Sequence, residues 1–95
     1  MEQLTFDCVI ACDGVESDAT RITVCVSIRN ATRAGGGVFD IPPALAGVLT
    51  EGRSATVRLT TGQAFEVHIA RLTQSRGQAA FFTEGPVPRA RYAAA

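Results

Sequence analysis

From Arg53 to Arg71 the chain reads RSATVRLTTGQAFEVHIAR, and its apolar residues fall on alternate positions. Ala55, Val57 and Leu59 alternate with Ser54, Thr56, Arg58 and Thr60; Phe65, Val67 and Ile69 alternate with Ala64, Glu66, His68 and Ala70. A period of two marks a strand with one dry and one wet face. Between the two runs stands Thr60-Thr61-Gly62-Gln63, where Gly62 offers the positive φ of a tight turn. The stretch predicts a β-hairpin with strands over 54–60 and 64–72.

The same reading predicts four more strands. Leu4, Phe6, Cys8, Ile10 and Cys12 share one face of a strand over 4–12. The Asp13-Gly14 turn then opens a polar loop that ends near Asp18. A helical turn over 14–19 is the alternative for that loop. Over 20–29, Ile22, Val24, Val26 and Ile28 alternate with Arg21, Thr23, Cys25, Ser27 and Arg29, and the β-branched content favours strand over helix. Residues 37–41 form a short strand stopped by Pro42-Pro43, because proline donates nothing to a ladder. Pro43 to Leu49 is a turn of helix or an apolar corner. Residues 78–83 form the last strand, in which Phe81 and Phe82 face opposite sides. One of them plugs a barrel and the other covers an end or an interface.

Six short strands, Gly-rich turns and no helical periodicity predict an all-β fold, a small six-stranded antiparallel barrel. Ninety-five residues make one domain, assigned to residues 1–88, with 89–95 as a flexible tail that could alternatively form a short helix against the barrel.

Charge narrows the functions. Nine acidic residues balance nine basic ones, which argues against sequence-independent nucleic-acid binding. All the basic residues are Arg, the side chain that forks onto phosphates and carboxylates. No apolar run is long enough to cross a membrane as a helix. The N-terminal MEQLTFD lacks the basic start and apolar run of a secretion signal, so a cytoplasmic location is the default expectation. Three cysteines leave at least one unpaired. Cys8 and Cys12 lie ~13 Å apart on one strand, too far for a disulfide, whereas Cys25, on another strand, could approach one of them. All three read as small hydrophobes at or near the core. Cys-x3-Cys without a second pair is weak evidence for zinc, and neither a metal nor a cofactor is expected.

Catalysis is short of bases. His68 is the lone histidine and falls on a wet strand face beside Glu66. Asp13, Glu16 and Asp18 crowd one loop and read as solvated rather than as an acid–base pair. The chain is therefore read as no enzyme. The remaining chemistry surrounds the glycine run. Arg29-Asn30-Ala31-Thr32-Arg33-Ala34-Gly35-Gly36-Gly37 is either a flexible connection or a place where backbone closely approaches a ligand or turns left-handed. Arg29, Asn30, Thr32, Arg33 and Gly35 are the candidate ligand-binding residues, with Arg21 as a third guanidinium near the glycines.

Asn30-Ala31-Thr32-Arg33-Ala34-Gly35 fits a relaxed Asp/Asn-x-Ser/Thr-x-x-Gly pattern between two strands. It resembles the second signature of PilZ domains, small six-stranded barrels of bacteria. Gly77-Gln78-Ala79-Ala80-Phe81 resembles that family's later glycine–gap–aromatic run, and the likeness spans roughly residues 20–83. PilZ domains typically bind cyclic di-GMP through an upstream Arg-x-x-x-Arg arm, but residues 1–18 hold no Arg. The resemblance therefore implies an adaptor barrel whose partner is another protein. Two alternatives stand. One is a cyclic di-GMP receptor in which Arg21, Arg29 and Arg33 replace the arm. The other is a structural subunit of a phage or secretion assembly with Phe82, Val87 and Tyr92 as contact residues.

Overall fold

The computed structural model describes residues 2–29 and 32–87, with the side chains of Arg29 and Thr32 excepted. Seven strands form in chain order: β1 (Glu2–Cys12), β2 (Val15–Glu16), β3 (Thr20–Arg29), β4 (Thr32–Asp40), β5 (Ser54–Leu59), β6 (Ala64–Thr73) and β7 (Gln78–Glu84). Single 3₁₀ turns occupy Pro43–Leu45 and Gln74–Arg76. The hydrogen-bonded order is β2-β1-β3-β4-β7-β6-β5, and β1 also pairs with β5. That last pairing closes six long antiparallel strands into a barrel; β2 only extends one end of β1. Among the described residues, no helix is long and apolar enough to cross a membrane.

Alternation sets the wall. Inward residues of every strand meet in one core in which Ile10, Ile22, Val24, Val57, Val67 and Ile69 are essentially sealed from solvent. Phe6 packs on Phe65 with ring centroids 6.0 Å apart, and Phe39 on Phe81 at 5.6 Å, both tilted. Leu45 and Leu49, carried by the 3₁₀ corner, join that core from one end, whereas Val87 joins it beside the β3–β4 hairpin. The β5–β6 hairpin forms as the alternation predicts. Gly62 sits at φ +94°, and the Leu59 N–H donates to the Gln63 carbonyl at 2.7 Å.

Several expectations are corrected. The strand placed at 37–41 begins at Thr32, so Gly35, Gly36 and Gly37 belong to the barrel wall and not to a loose connection. Their φ angles are not left-handed. They are glycines because neighbouring strands leave no room for a Cβ. One on Gly36 would stand 2.6 Å from the Phe81 carbonyl oxygen, and one on Gly37 2.8 Å from that of Thr23. A Cβ on Gly35 would run into the Cys25 carbonyl. The loop after Cys12 is shorter than expected and is not helical. Asp13 and Gly14 take φ +50° and +80°, and Val15 pairs directly with Cys12. Ile28, grouped with the core by its alternation, is 68% exposed because its part of β3 extends beyond the packed interior. Val87, expected on a contact surface, is buried. Tyr92 and the tail 89–95 lie outside the described residues.

Candidate functional site

The β3–β4 ladder runs to the pair Arg29–Thr32. Asn30 and the side chains of Arg29 and Thr32 lie outside the described residues. Arg33 is described, and its own chain occupies it. Its Nη1 donates to Glu2 Oε1 at 2.8 Å and its Nε to the Val87 carbonyl at 3.4 Å, while the Val87 N–H donates to the Arg33 carbonyl at 3.1 Å. The side chain is only 19% exposed. Arg33 therefore clamps the first strand and the segment after the last one onto the hairpin. Gly35 has a structural task as well: its N–H donates to Thr83 Oγ1 at 2.9 Å, which satisfies both groups inside the wall.

Arg21 does not join this group. It pairs with Asp7 at 3.0 Å, near the start of β3. Eight residues of strand separate it from Arg29, roughly 26 Å at 3.3 Å per residue. The acidic loop is likewise engaged, Asp13 with Arg53 at 3.1 Å and Glu16 with Arg58 at 2.9 Å. These exposed pairs contribute ~1 kcal/mol each at most. Among the described residues, no three His, Cys, Asp or Glu side chains gather as a metal site would require.

The cysteines divide across the wall. Cys8 and Cys12 are buried, Cys25 is part exposed, and all three are free. Cys25 shares the outer face with Gln3, whose amide reaches its sulfur at 3.8 Å, so it approaches neither of the others. Burial, with Asp7 adding to it, pushes the Cys8 thiol up to about 11. Burial also pushes Cys12 up, with Asp13 adding and Arg53 opposing. Attack by a thiol needs the thiolate and access. An aromatic disulfide reagent at pH 8 is therefore expected to label Cys25 within minutes and the other two only after denaturant is added. Fast labelling of all three in the folded protein would contradict the placement of Cys8 and Cys12.

The cleft under the 3₁₀ corner, lined by Ile41, Leu45, Leu49 and Leu72 among others, measures about 130 Å³. That is well below the roughly 300 Å³ at which small-molecule pockets begin. The outer wall offers more. Cross-strand register puts Cys25, Gly36, Phe82 and His68 in one row over β3, β4, β7 and β6. The next row holds Val38, Ala80 and Arg71. Phe82 is 49% exposed and Val38 51%. His68 stacks on the Phe82 ring, with centroids 4.7 Å apart and planes 24° from parallel. Gly36 and Ala80, the ladder partners of Phe82 and Val38, are too small to rise around them. The result is a low apolar face with one stacked aromatic pair standing on it.

Of this face the sequence reveals Phe82, by the rule that adjacent phenylalanines point to opposite sides. Its pairing with Gly36 depends on register between strands distant in sequence, and that with His68 on a register shift between Ile69 and Arg71; no local pattern carries either. Compared with family models, with curated proteins and with solved structures, the chain matches none.

Proposed function

We propose that this chain is a non-enzymatic adaptor barrel of PilZ-like type, working in the bacterial cytoplasm through protein contacts made by the face around Phe82. One observation carries the reading: Phe82 and Val38 stand exposed in adjacent rows, with only Gly36 and Ala80 as their β4–β7 ladder partners. A protein interface is built in this way, with an aromatic anchor at its centre and a polar rim. Water-exposed apolar groups gathered on one face contribute to stability only when another surface covers them. Arg33 supports a protein in preference to cyclic di-GMP, because its guanidinium already holds Glu2 and the Val87 carbonyl.

A photo-crosslinking phenylalanine analogue placed at position 82 in cells is expected to give adducts of defined mass. The same analogue at position 58, on the β5 wall, is expected to give none of them. Equal yields from the two positions, or no adduct from position 82, would overturn the reading.

A further inference from the structure

We propose that the partner covering this face is a second copy of the chain, packed across a two-fold axis that passes by Phe82 at right angles to the strands. The inference rests on the reading of the face as a protein contact surface and names its occupant.

Charge placement carries it. On one side of the Phe82 row stands Arg71, ladder partner of Ala80. On the other stand Glu66 and Glu84, directly opposite each other on β6 and β7. Like charges in facing ladder positions repel. Each carboxylate is held by a hydroxyl of β5: Thr56 donates to Glu66 at 2.6 Å and Ser54 to Glu84 at 2.5 Å. Neither meets a cation among the described residues; the ion pairs there engage Arg21, Arg33, Arg53 and Arg58 with Asp7, Glu2, Asp13 and Glu16. Arg71 is exposed and forms no ion pair with any described carboxylate.

Within one copy the Phe82 row keeps the two signs apart. The two-fold rotation exchanges the flanking rows. It sets Arg71 over the partner's Glu66 and Glu84, and symmetry makes the same contact a second time. Phe82 then meets the partner's Phe82 at the axis, with Gly36 and Ala80 leaving space for the rings. A patch that is complementary to itself in this way closes as a dimer and does not propagate. Opposed charges at its two ends fix the register of the strands.

Sedimentation equilibrium of the full chain from micromolar to millimolar concentration tests this. The wild type is expected to pass from monomer to dimer, more weakly as salt is raised. Phe82→Glu is expected to weaken the dimer by about 100-fold or more, and Arg71→Glu by about tenfold. Combining Arg71→Glu with Glu66→Arg and Glu84→Arg is expected to restore most of the loss, which general surface damage would not allow. These positions lie on the outer wall, and unchanged circular dichroism confirms folding in each case. A wild type that stays monomeric at millimolar concentration overturns the inference, as does a dimer indifferent to Phe82→Glu or a charge swap without rescue. The crosslink from position 82 separates the two proposals. An adduct of twice the chain's mass supports both. An adduct of another mass, with a monomeric wild type, removes the second copy and leaves the contact face. No adduct removes both.

Discussion

Gly35→Ala is expected to destabilise the barrel by about 3 kcal/mol or more, at the upper end of what overpacking costs. The new methyl group would meet the Cys25 carbonyl and, at 3.1 Å, the Val26 Cα. Both are backbone atoms of β3, so no side-chain rotation relieves the clash. β3 and β4 must separate, which lengthens their ladder bonds and disturbs Val26, itself buried. The Gly35 N–H would also leave Thr83 Oγ1, costing two part-buried polar groups their bond. For a domain of this size 1 kcal/mol shifts the melting temperature by about 4–8 °C, so a fall of at least about 12 °C is expected in a thermal melt. Gly62→Ala serves as the control. Gly62 is left-handed at φ +94°, but nothing lies within 4 Å of a Cβ there. Its cost is backbone strain alone, about 1–2 kcal/mol. A Gly35→Ala melt no lower than that of Gly62→Ala would contradict the close approach of β3 and β4.

Ile10→Ala is expected to cost about 2–5 kcal/mol, the range for removing a large aliphatic side chain from a filled interior. Ile10 is wholly buried and pairs with Val57 where β1 meets β5. The cavity would thus open at the seam that closes the barrel. The backbone there is anchored twice to the residue after β2, since the Ile10 N–H donates to Ser17 Oγ at 3.0 Å and its carbonyl accepts from the Ser17 N–H at 2.9 Å. Such anchoring limits collapse into the cavity and places the expected loss in the upper part of the range. Urea unfolding with an unchanged slope and a lower midpoint would report it. A loss below about 1 kcal/mol would mean that the β1–β5 seam is not a packed part of the core.

Much of the fold is legible because it is written at short range. The hairpin around Gly62 needs only alternation and a turn residue, and Asp13-Gly14 marks its own turn. What escapes is written between strands. Glycines are poor strand formers, so Gly35-Gly36-Gly37 reads as loop. Only the neighbouring carbonyls, two of them on β3 and one on β7, make glycine the residue that fits. Ile28 continues a perfect alternation past the place where the core ends. Val87 lies between two prolines beyond the last strand, outside any alternation, yet Arg33 holds it into the barrel. The candidate site divides along the same line. Arg33 is visible as a charge beside glycines, but its acceptors are 31 and 54 residues away in sequence. Phe82 is visible as an outward aromatic, while the row that makes it a surface is assembled by three pairings, of which that between β4 and β7 joins strands far apart in sequence.

Contact through the Phe82 face, as proposed above, is open to capture with the tagged wild-type chain, beside Phe82→Glu and beside Ile28→Glu as an exposed apolar control elsewhere on the barrel. Wild type and Ile28→Glu are expected to retain the same bound protein, a second untagged copy included, and Phe82→Glu, still folded, is expected to lose it. Retention of that protein by Phe82→Glu would overturn the assignment of the face.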